Sequence, residues 1–258
     1  MIDPATVVHS VEKALVILET LSRVEEMGIS ELSRELGLGK ATIYRIITTL
    51  RIHGYVEQTD SEKYKLNFKL FEIGNRVVNQ IGIRKTARPF LEQLAVTTKE
   101  TVNLAVLDYY SVIYIDRVES REPLRMGLDV GTRFPAFCTA LGLAMFAYMN
   151  PLEVDTLLAQ TVQDGLFIKH TKNTVIDLST VKEQLVEIRE RGYSLDNEYY
   201  LSGIRGVAAP VFNHAGKIKA AISVAGPAVR ITDEVVAEFI PRVKTVARDI
   251  SLRLGYSG

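Results

Sequence analysis

The chain has 258 residues, 47% of them hydrophobic, with 31 basic and 31 acidic side chains and a formal net charge of zero. Its length allows one large domain or two ordinary ones, and the zero charge excludes a general polyanion binder, so any affinity for nucleic acid must come from a local basic patch. The single cysteine, Cys138, excludes an internal disulfide and a cysteine-based zinc site. Without a secretory signal or an apolar run long enough to span a bilayer, we expect a cytoplasmic protein with no membrane partner.

The first fifty residues have the apolar spacing of three short helices. Ser10 is the predicted N-cap of the first helix, and its buried face is predicted to comprise Val11, Ala14, Leu15, Leu18 and Leu21. Ser30 is the predicted N-cap of the second helix, which ends at a tight turn over residues 37–39. The third helix is predicted over residues 40–53, ends at Gly54, and buries Ile43, Ile46, Ile47 and Leu50.

The exposed side of the third helix is predicted to be basic. Residues 37–56 carry Lys40, Arg45 and Arg51 and no acidic residue, and residues 55–66 have the pattern of a two-stranded wing. A helix, a tight turn, a second helix and a wing typically place that second helix in the DNA major groove. The predicted DNA contacts are Ser30, Lys40, Ala41, Thr42, Tyr44, Arg45 and Lys63. Winged helices that bind only other proteins have the same pattern, and this alternative stays open.

A linker helix is predicted over residues 67–82. It separates a DNA-binding domain at residues 1–66 from a second domain at residues 83–258, where a further helix contains Pro89. That proline either bends the helix or starts a new one. The apolar face of residues 68–81 has few partners in a lone winged helix, so it packs either against a second subunit or as an ordinary interdomain helix.

In the second domain the periodicity changes to that of strands, which alternate with amphipathic helices. The predicted strands are residues 102–107, 112–118, 124–128, 193–196, 206–212 and 218–225. The predicted helices are residues 138–149, 151–159, 178–191 and 235–254. This mixture predicts an α+β fold built on a sheet.

Motifs in both halves of the chain give a family resemblance. They are SVEKALVIL at 10–18, ISELS at 29–33, GLGKATIYR at 37–45, YIDRVES at 114–120, GTRFPAFCTALG at 131–142, RERGYSLDNE at 189–198, GIRGVAAPVF at 203–212 and SVAGP at 223–227. In this order they resemble the isocitrate-lyase-regulator (IclR) family of bacterial transcription factors. The resemblance implies a winged helix-turn-helix, a linker helix and a GAF-like effector-binding domain. It also implies a regulator, expected to be a repressor, that binds a pseudo-palindromic DNA operator as a homodimer or a dimer of dimers.

The resemblance further implies a pocket for a small organic or aromatic acid at one end of the sheet. Carried over by position, its residues are Met126, Thr139, Ala140, Leu141, Asp196, Ile204, Gly206, Ser223 and Ala225. A helix N-terminus at Thr139 would offer N–H groups to a carboxylate, and Ser223 a hydroxyl.

Three residues depart from the pattern of family members that bind very small oxoacids. Gly206 stands where a thiol is common, Ala225 where a serine is common, and Leu143 where a lysine is common. The first two changes predict more room and a larger, partly apolar ligand. Side chains that either line the pocket or belong to the core are Phe134, Phe137, Tyr199 and Tyr200. Arg117, Arg133 and Arg205 either meet the ligand or pair with Asp116, Glu119, Asp129 or Asp196.

An enzymatic alternative rests on Cys138. With His170 or His214 and with Asp196 it would make a nucleophile, base and orienting acid, and the chain would be a hydrolase of small molecules. The sequence around Cys138 is apolar, which is typical of a buried structural cysteine. The chain has no nucleophile elbow, phosphate loop or His-Glu-x-x-His motif, so we expect neither catalysis nor a cofactor.

Overall fold

The computed structural model describes residues 6–125 and 127–258 and divides into two compact units, residues 1–80 and 81–258. The elements of the first unit are α1 (His9–Leu21), α2 (Ile29–Leu36), α3 (Lys40–Ile52), β1 (Val56–Gln58), β2 (Tyr64–Leu66) and α4 (Lys69–Ile81). Among the described residues no helix is both long and apolar enough to cross a lipid bilayer.

In the first unit three helices and a hairpin enclose a small core. The buried residues of this core are Ile17, Leu21, Leu32, Ile43, Ile47, Val56 and Tyr64. Strands β1 and β2 pair antiparallel, with Val56 opposite Leu66 and Gln58 opposite Tyr64. The Tyr64 main chain also bonds both ways with that of Met27, so the wing is attached to the segment that precedes α2.

The two N-caps predicted in this unit, Ser10 and Ser30, are wrong. Helix α1 begins at His9, and its N-cap Val8 makes no side-chain cap bond, so Ser10 already lies inside the first turn. Helix α2 begins after Gly28, whose N–H donates to Glu31 Oε2 at 2.7 Å. Because this glutamate at the third helical position reaches back to the N-cap main chain, α2 does not need a serine cap.

The predicted buried face of α1 is also partly wrong. Val11 and Leu15 are each 55% exposed, while Ile17 and Leu21 are almost completely buried. The core of the unit contacts only a narrow stripe of α1, which leaves an apolar stripe of the same helix in solvent.

The second unit is built on an antiparallel sheet whose described strands run in the order β5-β4-β3-β8-β7-β6. Its elements are α5 (Ile83–Thr98), β3 (Thr101–Asp108), β4 (Ser111–Val118), β5 (Arg133–Pro135), α6 (Ala140–Phe146), α7 (Pro151–Gln163), α8 (Leu178–Arg191), β6 (Ser194–Asn197), β7 (Ile204–Phe212), β8 (Ile218–Pro227) and α9 (Asp233–Arg253). Helices α5, α6 and α9 pack on its strands. Pro89 lies inside an uninterrupted α5.

The strand predicted at residues 124–128 is wrong, since the described part of that segment has no strand, and Met126 lies outside the described residues. The edge strand is β5, which pairs with β4. It follows a turn at Gly131, whose φ is +93° and whose N–H donates to Tyr114 O at 2.7 Å. The chain therefore first bonds to β4 at this turn, whose positive φ a residue with a Cβ would strain.

The helix predicted from residue 138 is shorter in the structure. A 3₁₀ turn at Ala136–Cys138 precedes α6, and the two meet at Gly142, where a Cβ would lie 2.1 Å from Ala136 O. Only glycine allows this close approach, and it sets the start of α6 against the sheet.

Candidate functional site

The exposed face of α3 presents the residues that the sequence predicts as DNA contacts. Ile43 and Ile47 point into the core, and exposed side chains on the rest of the helix include Lys40, Ala41, Thr42, Tyr44 and Arg45. Neither the Lys40 nor the Arg45 side chain has a hydrogen bond or ion pair to another described residue. These cations therefore remain available to phosphates or base edges.

Hydrogen bonds within α3 divide its hydroxyl groups into two kinds. Thr48 and Thr49 donate to the carbonyls of Tyr44 and Arg45, at 2.7 and 3.0 Å. The Thr42 hydroxyl has no partner among the described residues. In the first turn the N–H groups of Lys40 and Ala41 donate to no carbonyl of the helix. They are therefore free to donate to a phosphate oxygen.

The other two predicted contacts lie outside this face. Ser30 is exposed in the first turn of α2. In the wing, Lys63 Nζ lies 3.9 Å from both Glu26 Oε1 and Glu31 Oε2. Contact of Lys63 with DNA stays a prediction, and it requires that a phosphate compete with two carboxylates.

In the second unit, strand register and the start of α6 bring the predicted pocket residues together around one cavity. Gly206 lies opposite Ala225 and also pairs with Asp196, so these three form a row across β6, β7 and β8. The cavity is lined by Tyr114, Leu128, Phe134, Thr139, Ala140, Leu141, Asp196, Tyr200, Leu201, Ile204, Gly206, Ser223 and Ala225. Met126, the remaining predicted member, lies outside the described residues.

The cavity is small in this conformation, with a volume of about 30 Å³. More room than in members with a thiol and a serine at positions 206 and 225 stays a prediction. A Cβ on Gly206 would lie 2.6 Å from Val224 O, so the main chain of β8 already fills the space that glycine leaves. Aromatic rings fill more of it, with Phe134 centred 5.2 Å from Tyr114 and 5.0 Å from Tyr200.

The aromatic candidates separate into two pairs. Phe134 and Tyr200 line the cavity, which was one of the two alternatives that the sequence left open for them. Phe137 is buried in the adjoining core with its ring 4.4 Å from that of Phe167, and Tyr199 packs against the same core. Tyr114, whose pKa is raised by burial, is a cavity residue that the sequence did not indicate.

Asp196 is the acidic residue of the cavity wall. Burial raises its pKa to about 7, against hydrogen bonds from main-chain N–H groups that favour the ionised form. One of these is the Tyr199 N–H, 3.0 Å from Oδ1. Asp196 is therefore mainly protonated, and able to donate a hydrogen bond, below about pH 7, and mainly ionised above it.

This pKa predicts a pH-dependent stability. Between about pH 4 and pH 7 the unfolded state carries the Asp196 charge and the folded state carries the proton, so the free energy of unfolding falls as pH rises. The Asp196→Asn variant lacks this loss. Its stability relative to wild type is expected to rise by on the order of 2 kcal/mol between pH 5 and pH 8.

Urea unfolding at four pH values across that range measures the difference. Asp177→Asn is the control, because Asp177 has a pKa of about 2 and is ionised in both states over the whole range. Its effect should not change with pH. Equal pH dependence in wild type and Asp196→Asn would show that the carboxyl is not perturbed.

A buried pair beneath the cavity was missed by the sequence analysis. Asn103 is completely buried, its Nδ2 donates to Ser223 Oγ at 3.3 Å, and its Oδ1 has no partner among the described residues. Because Ser223 Oγ accepts this bond, its own O–H group can still donate a hydrogen bond to another acceptor. The sequence did contain a signal for Asn103: its side-chain amide lies between Val102 and Leu104 on the predicted strand at residues 102–107. A buried amide needs a hydrogen-bond partner, so a polar partner nearby could have been expected.

At the start of α6, Thr139 is the N-cap and accepts from Gly142 N at 3.2 Å. The N–H groups of Ala140 and Leu141 have no carbonyl partner within the helix. The cavity wall thus combines main-chain donors, a hydroxyl and a carboxyl whose pKa is about 7 with aromatic rings, which suits a small molecule that carries one carboxylate.

Two of the three candidate arginines, Arg133 and Arg205, have structural partners that the sequence did not name. Arg133 pairs with Asp108, and Arg205 with Asp233 and with Ile231 O. Arg117 lies 3.9 Å from Glu119, one of the predicted partners. None of the three lines the cavity.

The proposed catalytic set does not assemble. Cys138 is buried, burial raises the pKa of its thiol, and its Sγ lies 3.8 Å from the carbonyl oxygen of Pro135. The His170 ring packs against Tyr200, and His214 is exposed in the turn between β7 and β8. A thiol with a raised pKa and no imidazole beside it is a poor nucleophile.

Comparisons with known proteins agree with this geometry. Two family models match, the IclR helix-turn-helix domain over residues 10–60 and the bacterial transcriptional regulator IclR C-terminal domain over residues 75–252. The regulator KdgR of Escherichia coli is 36% identical over 96% of this chain and 94% of its own. The chain belongs to the IclR family.

Other relatives extend the comparison. The transcriptional repressor IclR of E. coli is 32% identical over 98% of this chain and 92% of its own. The crystal structure of the Thermotoga maritima IclR superposes with a TM-score of 0.81, at 29% identity, over 96% of this chain and 99% of that one. The predicted winged helix-turn-helix with an α/β effector domain is confirmed, and membership of a family of transcriptional regulators confirms that the chain is not an enzyme.

Proposed function

We propose that this IclR-family DNA-binding regulator is a repressor whose operator affinity changes when a small organic acid occupies the cavity between α6 and the sheet. The observation that carries the proposal is the row of Asp196, Gly206 and Ala225 beside the start of α6. The cavity beside that row is lined by hydrogen-bonding side chains, such as Ser223, and by aromatic rings, such as Phe134. Repression is proposed because relatives over the whole chain are named repressors.

An acid would bind through groups already in place. Below neutral pH the protonated Asp196 donates to a carboxylate oxygen, the Ser223 hydroxyl can donate to another, and rings such as Phe134 contact the rest of the ligand. Because the cavity holds only about 30 Å³, a ligand of several carbon atoms requires its walls to move. Tyr200 and Leu201 lie on the loop between β6 and β7, and a movement of that loop would make the room.

Thermal unfolding with a panel of aliphatic, hydroxylated and aromatic carboxylic acids tests the ligand class. An acid present at a hundred times its dissociation constant stabilises the folded state by about 2.7 kcal/mol. The expected result is that one acid raises the unfolding temperature of wild type and fails to do so in an Asp196→Leu variant that still folds. A panel in which no aliphatic, hydroxylated or aromatic acid stabilises the protein would contradict the proposed ligand class.

We propose that the chain forms a homodimer, alone or as a dimer of dimers, that presents two α3 helices to a pseudo-palindromic operator. Apolar side chains exposed on α1 and on or next to α4 support this, since patches of this kind mark interfaces. They are Val8, Val11, Leu15, Phe68, Phe71, Ile73 and Val77. We retain the proposed division into residues 1–66, a linker at 67–82, and residues 83–258.

The dimer is testable with a charged substitution on α4. Phe71 is 69% exposed, so Phe71→Asp leaves the fold of one subunit intact but places a carboxylate in the proposed interface. Light scattering after gel filtration should give twice 28.8 kDa or four times that mass for wild type, and a smaller assembly for the variant. Tyr109→Asp, at a site 78% exposed in the second unit, is the control and should keep the wild-type mass. An unchanged mass in Phe71→Asp would remove α4 from the interface.

A second candidate function is a winged helix that binds only proteins. The unpaired Lys40 and Arg45 favour DNA instead, and a protein-only module would show no salt-dependent affinity for any duplex.

A further inference from the structure

A solvent-open groove of about 480 Å³ runs between α1 and α3 in the first unit. It is lined by Ser10, Lys13, Thr42, Tyr44, Arg45, Ile46, Thr48 and Thr49. Two of these residues, Ser10 and Lys13, belong to α1, a helix for which the sequence predicted no DNA contact. The lining contains two cations and no acidic side chain.

Lys13 is the one described lysine that is both half-buried and without an ion pair or hydrogen bond on its ammonium. It is half-buried, so its side chain lies along the protein surface rather than extending freely into solvent. Among the described residues its ammonium has neither an ion pair nor a hydrogen bond, whereas Lys63, Lys65 and Lys182 each lie near a carboxylate. The Lys13 ammonium is therefore not neutralised by any described carboxylate and is available to an anion.

The hydroxyl groups of the groove are of two kinds, those with a hydrogen-bond partner and those without one. Thr48 and Thr49 are engaged with carbonyls of their own helix. Ser10, one turn before Lys13 on α1, and Thr42 on α3 have no side-chain partner among the described residues. Two free hydroxyls and a free ammonium therefore face one groove, with Arg45 beside them.

We propose that Lys13, with Ser10, binds a phosphate of the operator backbone at the edge of the major groove that α3 enters. This inference rests on the proposed DNA binding by α3. A recognition helix fills a major groove about 12 Å wide, so a helix packed beside it lies over the sugar–phosphate rim rather than over base edges. A lysine acts on phosphate as a point charge, without base preference.

The test uses a duplex that the wild-type protein selects from a random pool, with affinity measured by fluorescence anisotropy across a salt series. Loss of one phosphate contact reduces the slope of log K against log salt by about 0.9. Lys13→Gln is expected to show that reduction and about 8-fold weaker binding at 0.1 M salt. The loss should be the same on the selected duplex and on an unrelated one, and Lys13→Arg should retain the wild-type slope.

Lys182→Gln is the matched control, because it makes the same change in net charge in the second unit, where Lys182 Nζ lies 2.7 Å from Asp155 Oδ1. Its slope should equal that of wild type. A wild-type slope in a folded Lys13→Gln, or a loss confined to the selected duplex, would overturn the assignment. If the wild-type protein selects no duplex, the proposed DNA binding itself fails, which is distinguishable because it precedes any comparison of variants.

Discussion

An Arg45→Ala variant is expected to bind the selected operator about 5- to 150-fold more weakly than wild type, a loss on the order of 1–3 kcal/mol. Arg45 is exposed on α3, and its guanidinium has no partner among the described residues, so it is free to make two parallel hydrogen bonds to a guanine edge. Its removal costs the fold little, since no described side chain depends on it.

Anisotropy on the selected duplex and on single-base variants of it measures this effect. If Arg45 reads a base, the variant also loses preference at one position of each half-site. Arg51→Ala is the control on the same helix, because Arg51 Nη1 already donates to Gln58 Oε1 at 2.7 Å. Wild-type affinity and wild-type base preference in Arg45→Ala would remove Arg45 from the recognition surface.

A substitution that fills the cavity is expected to abolish the response to acid while operator binding is kept. Ala225 is 8% exposed and lines a cavity of about 30 Å³, so the three additional carbon atoms of Ala225→Leu occupy the space that a ligand needs. Overpacking of this kind costs about 1–3 kcal/mol of stability, which most domains tolerate. The variant should bind operator like wild type both without and with the acid.

The control for this variant is Ala225→Ser, which adds a single oxygen atom. It should keep an acid response, and its preferred acid should be smaller or more polar, because it adds a hydroxyl to the wall. Operator release by the same acid at the same concentration in wild type and in Ala225→Leu would show that the ligand binds elsewhere.

Sequence periodicity predicted most elements of this fold because the buried stripes are regular. Ile43 and Ile47 repeat at helical spacing and set the face of α3, and the predicted bounds of α8, residues 178–191, agree with the structure. The caps of α1 and α2 were missed because capping depends on the geometry of a turn. In α2 the N-cap is Gly28, and its own N–H donates to Glu31 Oε2, a different bond from the one that a serine cap would accept.

The candidate site shows the same limit. Motif positions brought Thr139, Asp196 and Ser223 to one cavity as the resemblance implied. The size of the cavity could not be predicted, because it depends on the distance from Gly206 to the β8 main chain and on ring packing across three separate segments. Asn103 was missed because its partner Ser223 is 120 residues away.

The raised pKa of Asp196 also needed the folded chain. Its cause is enclosure by elements that come together only in the second unit, and the sequence shows an ordinary aspartate beside an asparagine. For the same reason the lack of an ion pair between Lys13 and any described carboxylate could be read only from the folded first unit.

The most direct test of the central claim is the affinity of the full-length protein for its selected operator, measured by fluorescence anisotropy with and without the acid that stabilises it. We expect tight, salt-dependent binding that this acid shifts by at least 5-fold, the lower end of ordinary coupling between two sites. Equal operator affinity with and without an acid that demonstrably binds the protein would contradict it, since a ligand acts only through unequal affinity for two states.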